Sequence, residues 1–286
     1  MCIRDRHIYG DSFGTLMKPG QSRLLEKTLD ENDYWQVKLQ KKLGCDELVN
    51  RSVFGTSLDC IQYLFNQNLD EISKDDYIIV IHTEASRRWF IEDMPNLTNF
   101  SSFIKFPSGE VNWDWIELNT AHLSIDKQKL NVQVQAARDY CINLANGELE
   151  DLYGNAIASY FKEFQTKGYK LINIPAFGLK SKEDWNTGFN TTGALEQVSI
   201  YEFKPIEAKD RRSSYIQITQ GVDGRVAHIS KVNHDILVDK IYNSFINQDD
   251  LELDVGFKDS FITKKNWDKY NDYELYTTEK QKATKY

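Results

Sequence analysis

The sequence predicts an α/β fold built on a mainly parallel sheet. Segments of strand character alternate with segments of helical period along most of the chain, which is the order that lays helices over a parallel sheet. The clearest strand, "YIIVIH" at 77–82, is a continuous apolar run rather than an alternating one. A strand of that kind is buried on both faces, as the central strand of a parallel sheet is.

The elements follow in order. "HIY" is a short apolar strand that runs into Gly10. In "DYWQVKLQKKLG" the helical period puts Trp35, Leu39 and Leu43 on one face, and Gly44 is a natural stop. "DELVNRSVFG" reads as a strand ending in a turn. "TSLDCIQYLFNQNL" opens with a Thr/Ser cap and continues as a helix with Leu58, Ile61, Leu64 and Phe65 inward. After the "YIIVIH" strand, residues 88–128 carry Trp89, Phe90, Phe100, Phe103, Trp113 and Trp115 with little regular pattern. This excursion reads as a lid or cap over the sheet edge, its aromatics either a platform for a sugar or acyl group or a small core of their own. "LNVQVQAARDYCINLANG" and "LYGNAIASYFKEFQTKG" are two helices, the second closed by Gly168, and "YKLINIPAFG" is another buried strand. "VSIYEF" and "SYIQI" are short alternating segments in a polar stretch from 180 to 222. "NHDILVDKIYNSFI" is an amphipathic helix that gathers Ile236, Leu237, the Lys240 stem, Ile241 and Phe245. Residues 1–247 are expected to form one domain, with 248–286 a charged, aromatic C-terminal extension.

Composition narrows the function classes. At 286 residues, with 41% hydrophobic and 13% aromatic content, the chain can bury a sizeable core. A net charge of −8 argues against a general nucleic-acid binder, which would present a basic face. No run approaches about 18 apolar residues, so no membrane span is expected. Cys2, Cys45, Cys60 and Cys141 lack CxxC spacing and read as reduced, small hydrophobes rather than a disulfide framework or a zinc site. The charged start "MCIRDR" carries no leader pattern, which makes the cytoplasm the default expectation.

In an open α/β sheet, ligands sit at the carboxyl ends of the strands. Gly10-Asp11-Ser12 falls at the end of the first strand, Gly55 after the second, and His82-Thr83-Glu84 at the end of the third. "DGRVAHISKVNH" then offers Asp223, His228 and His234 just before the last helix. An early serine with a late Asp/His pair fits the serine–base–orienter logic of acyl transfer. Asp11 is the residue type that shapes such a turn through its own carboxylate. His82, inside an apolar strand with no carboxylate or cysteine at metal spacing, reads as a core histidine, and no metal site is expected. Asp11, Glu84, Arg87, Trp89 and Arg225 are candidates to line the substrate cleft.

The blocks "IYGDSFG", "NRSVFG", "YIIVIH" and "DGRVAHIS" resemble those of the SGNH (GDSL-type) hydrolase superfamily, across roughly residues 7–247. The resemblance implies a three-layer α/β/α, flavodoxin-like arrangement and a cofactor-independent serine hydrolase. Ser12 would be the nucleophile, His228 the base and Asp223 its orienter. The Ser12 and Gly55 N–H groups would form the oxyanion hole. Two departures stand out. The third block of the family carries an asparagine after its strand, whereas "HTEASRR" has none, leaving the Thr83 and Ser86 hydroxyls as candidates. The usual Asp-x-x-His spacing would fall on Arg225, and Asp223 sits two residues earlier. Losing one oxyanion donor costs about 100- to 1000-fold in rate. The leading expectation is therefore an esterase acting on a small ester, with an O-acyl carbohydrate as the favoured substrate. A catalytically impaired binding or structural protein on the same fold, and an acyltransferase, remain the alternatives. His234 is expected to pack or cap at the start of the last helix.

Overall fold

The computed structural model describes residues 5–16, 30–91, 104–105, 108–120, 125–145, 147–177, 191–195, 199–200, 228–229, 231–253 and 255–258. In chain order the elements begin with β1 (Asp5–Tyr9), α1 (Trp35–Leu43), β2 (Glu47–Asn50), α2 (Leu58–Gln67) and β3 (Tyr77–His82). There follow β4 (Ile104–Lys105), β5 (Glu110–Val111), α3 (Trp113–Thr120), α4 (Lys127–Asn143), α5 (Gly147–Thr166) and β6 (Lys170–Pro175). The last are β7 (Thr191–Thr192), β8 (Ser199–Ile200), β9 (His228–Ile229), α6 (Lys231–Asn247) and β10 (Leu251–Glu252). The chain divides into two compact units, Met1–Thr15 with Gly44–Thr191 and Leu16–Leu43 with Thr192–Tyr286.

The first unit holds the parallel sheet, in the order β2-β1-β3-β6. All three pairings are parallel, with Ile8 opposite Asn50, Tyr9 opposite Val80, and Val80 opposite Asn173. β3 is buried at every position, as its unbroken apolar run predicts. One sheet face carries Tyr9, Ile78, Val80 and Leu171 against Leu58, Ile61 and Phe65 of α2 and Ile157, Phe161 and Phe164 of α5. Phe65 is the hinge of this core. Its ring meets Tyr9, Phe161 and Phe164 edge to face at centroid distances of 5.3, 5.1 and 5.0 Å, the geometry that aromatic quadrupoles favour. The alternate residues Ile8, Ile79, Ile81, Ile172 and Ile174 are buried as well. Both sheet faces are therefore covered, and the α/β class read from the sequence is the one observed.

The cap of α2 and the glycine stops of α1 and α5 lie where the sequence reading put them, whereas α4 begins at Lys127 rather than Leu130 and α5 at Gly147 rather than Leu152. Ser57 caps α2, accepting from the Cys60 N–H. Gly44 (φ +67°) and Gly168 (φ +88°) end α1 and α5 in the left-handed conformation that glycine adopts without strain.

The excursion after β3 has regular structure that its pattern hides. Its described residues form the β4–β5 hairpin, α3 and the start of α4, around Ile91, Ile104, Ile116, Leu130, Val134 and Ala137. The described residues build a small core, against which the half-buried Trp113 packs. α3 escapes sequence reading because "WDWIELNT" is two turns long, too short to show a helical period.

In the second unit α1 packs along α6. Lys38 pairs with Asp235 and Lys42 with Asp239 across the two helices, and Lys38 also reaches Asp33 in the turn before α1. The first-turn His234 of α6 is fully buried, and its Nδ1 accepts the Trp35 N–H at 2.9 Å. It caps α1 rather than its own helix. Of the two alternating segments expected at 180–222, Ser199–Ile200 forms β8, antiparallel to β9, and "SYIQI" lies outside the described residues. The expected C-terminal extension is described only in part, through β10, and residues 259–286 lie outside the described residues.

Among the described residues Cys45, Cys60 and Cys141 take part in no disulfide, and Cys2 lies outside them. No described helix is long and apolar enough to cross a membrane.

Candidate active site

Strand order decides where a ligand would sit. In the order β2-β1-β3-β6 the chain goes from β1 to β2 on one side and to β3 on the other, so the topological switch point lies between β1 and β3. Ligands of doubly wound sheets bind in the crevice beyond the carboxyl ends of the strands at that point. Ser12 is three residues beyond Tyr9, and Thr83 is three residues beyond Val80, its partner in register. Each of these neighbouring strands thus runs into a hydroxyl residue on the switch-point side.

The "GDSFG" turn is built from its own residues. Asp11, fully buried, accepts the Phe13 N–H on Oδ1 at 3.0 Å, and its carbonyl accepts the Gly14 N–H at 3.0 Å. This is the Asx-type bonding expected of an aspartate there. The Thr15 hydroxyl donates to the Ser12 carbonyl at 2.9 Å, and Ser12 itself stays 8% exposed. The two glycines are demanded by close neighbours. A Cβ on Gly10 would lie 2.6 Å from the Ile81 Cβ of β3, and one on Gly14 would collide with the Ser52 hydroxyl.

The end of β2 is stitched to the same turn. Backbone bonds run on past the strand, from Arg51 N–H to the Ile8 carbonyl and from Val53 N–H to the Gly10 carbonyl, each at 2.8 Å. Asn50 Nδ2 donates to the Gly14 carbonyl at 2.7 Å. Gly55 follows at φ +71°, inside a turn closed by the Thr56 N–H on the Val53 carbonyl. A side chain would strain that backbone, which explains a glycine at this position.

At the end of β3, His82 and Thr83 are each 2% exposed, while Glu84 and Ser86 are exposed. Among the described residues the Thr83 hydroxyl has no hydrogen-bond partner, an expensive state for a buried polar group. His82 Nε2 lies 3.1 Å from Asn173 Oδ1, and its ring stands edge-on to Phe161. Burial drives its pKa down to about 4 against the opposing pull of the Asn173 hydrogen bond, so it is a neutral core histidine at neutral pH. Arg87 pairs with Glu84 at 2.9 Å and lies over the Phe177 ring, which in turn meets Phe13 edge to face at 5.7 Å. The turn after β1, the loop after β3 and the residue after β6 thus share one rim. Trp89 packs on Tyr63, and its indole N–H donates to the Ile91 carbonyl at 2.8 Å.

Sequence reasoning missed what holds the loop after β3. Asp59 of α2 accepts the Trp89 N–H at 3.2 Å and Arg88 Nε at 3.3 Å, and Arg88 lies over the Tyr153 ring at 4.1 Å. No local signal marks these contacts, since Asp59 is 30 residues from Trp89. Of the late block, His228 occupies β9 in the second unit, while Asp223 and Arg225 lie outside the described residues. Among the described residues no cluster of three or more His, Cys, Asp or Glu could hold a metal ion.

No protein-family model and no curated protein sequence matches the chain. Among solved structures it is similar to one from Desulfitobacterium hafniense DCB-2, described as "a putative lipolytic protein of G-D-S-L family". That likeness has 12% identity and a TM-score of 0.31, over 84% of this chain and 98% of the other.

Proposed function

We propose that this chain is a cofactor-independent serine esterase of the SGNH type, acting on a small ester such as an O-acyl group on a carbohydrate. The observation that carries the reading is the Gly-Asp-Ser turn at the switch point of the sheet, next to the strand that runs into Thr83, whose buried hydroxyl has no partner among the described residues. A partnerless buried hydroxyl is costly, and a site that needs a donor for a transient oxyanion is a reason to keep one.

In this reading His228, oriented by Asp223, takes the proton of the Ser12 hydroxyl as its oxygen adds to the ester carbonyl. The oxyanion is held by the Ser12 and Gly55 N–H groups, with Thr83 in place of the missing third-block asparagine. Ser86, exposed at the loop, is the weaker candidate for that role. Collapse of the tetrahedral adduct breaks the C–O bond, and His228 returns the proton to the leaving alcohol. Water, deprotonated by the same histidine, then releases the acid and restores Ser12. Arg87, held by Glu84 and Phe177, is placed to meet a polar substituent at the rim.

Intact-mass labelling with a fluorophosphonate probe tests the proposal on the wild type, Ser12→Ala and His228→Ala. A single adduct mapped to Ser12 and lost in both variants supports it. Absence of an adduct on folded protein overturns it in favour of a binding protein that has kept the turn without the chemistry. Product formation that depends on an added alcohol acceptor would instead identify a transferase.

A further inference from the structure

The separate core after β3 contains a cleft that the proposed reaction does not use. It lies between α3 and α4, has a volume of about 460 Å³, and is lined by matching stripes from the two helices. α3 supplies Trp113, Ile116 and Glu117, and α4 supplies Lys127, Leu130 and Asn131. Each set has the i, i+3, i+4 spacing that places three side chains on one helical face. The volume falls within the roughly 300–1,000 Å³ range of small-molecule sites.

The stripes are graded from floor to mouth. Ile116 and Leu130, at 0% and 7% exposure, belong to the apolar cluster beneath, and the half-buried Trp113 packs against the same cluster as a wall. Glu117, Lys127 and Asn131 are exposed around the opening. Among the described residues, none of these three side chains takes part in a hydrogen bond or an ion pair. An occupant that fits must lay an apolar face on the indole and the aliphatic floor. It must also present an edge that donates to Glu117, accepts from Lys127 and does both with Asn131. An acyl chain uses the floor but none of the three polar side chains at the mouth, and a phosphate would face the Glu117 carboxylate.

We propose that this cleft binds a pyranose ring, with its C–H face on Trp113 and its hydroxyls at the polar mouth. The site contains none of the residues assigned to the ester reaction, and it would anchor a saccharide whether or not Ser12 is reactive.

Saturation-transfer-difference NMR on the full chain tests this, using methyl β-D-glucopyranoside, methyl β-D-galactopyranoside and N-acetyl-D-glucosamine, with octanoate as the apolar comparison. At least one saccharide is expected to show transfer strongest on its C–H face. That signal should vanish in Trp113→Ala and weaken at least threefold in affinity in Asn131→Ala and Glu117→Gln. Should Trp113→Ala fail to fold, the two exposed-site variants decide. Silence from all three saccharides, a signal indifferent to both exposed-site variants, or transfer to octanoate alone would each overturn the proposal. The readout is binding, so a failure of fluorophosphonate labelling at Ser12 leaves it unaffected.

Discussion

At the scale of single residues, the turn after β1 combines two requirements that can be separated by mutation. Gly10 is there for space: in Gly10→Ala the new methyl meets the Ile81 Cβ at 2.6 Å. Overpacking of this kind costs about 1–3 kcal/mol, which a lowered urea midpoint would register; an unchanged midpoint would mean the two strands part freely. Thr83 is there, in our reading, for chemistry. Thr83→Val removes a buried hydroxyl that bonds to nothing among the described residues, so stability should hold or rise. Ester turnover should fall about 100- to 1000-fold if the hydroxyl serves the oxyanion. Turnover at the wild-type rate would remove Thr83 from the site. These two positions also mark what a sequence discloses at this scale. Asp11 and Gly55 were legible because their roles are local, set by the turn's own hydrogen bond and by a φ angle, whereas the space demand at Gly10 comes from Ile81 across the assembled sheet. The partners of Asp59 and His82 were not, since Arg88, Trp89 and Asn173 reach them only through the assembled sheet and helices.

At the scale of elements, helix ends depend on groups far away in sequence. The Trp35 N–H at the start of α1 is satisfied by His234, 199 residues on. Replacing His234 with Phe keeps an aromatic ring beside Tyr34 but withdraws the acceptor. A buried N–H left unpaired costs about 1–3 kcal/mol, and equilibrium unfolding of His234→Phe should show a loss in that range. A loss near zero would mean that the N–H finds another acceptor. Long periodic helices such as α4 and α6 could be read directly, and the unbroken "YIIVIH" run disclosed a buried parallel strand. The β4–β5 hairpin and α3 could not be read. Two-residue strands carry no period, and the two turns of α3 are too short to show one. The pairing order β2-β1-β3-β6 is likewise absent from any local pattern, because register is fixed by contacts between segments far apart in the chain.

At the scale of the whole molecule, stability should fall on mild acidification, before most carboxylates titrate. His82 stays neutral in the fold because burial holds its pKa near 4. Burial also lowers the pKa of His7, which lies 3.5 Å from the Asp76 carboxylate, with Asp76 and Asp5 pulling the other way. A histidine depressed in the folded state binds its proton more readily when unfolded. Its contribution is therefore complete above the unfolded pKa of about 6.5 and declines as the pH falls below that value. Taking His82 from about 6.5 unfolded to about 4 folded, acidification to pH 5 costs about 2 kcal/mol through this residue alone. Urea unfolding at a series of pH values between 7.5 and 5 measures the slope. His82→Gln retains a side chain able to donate to Asn173 but cannot titrate, so its curve should be flatter than that of the wild type by about that amount. If the two curves stay parallel, the protein takes up protons at His82 as readily folded as unfolded. The histidine would then open to solvent in the native state, and the tight packing of β3 against Phe161 and Asn173 would be looser in solution than in the structure.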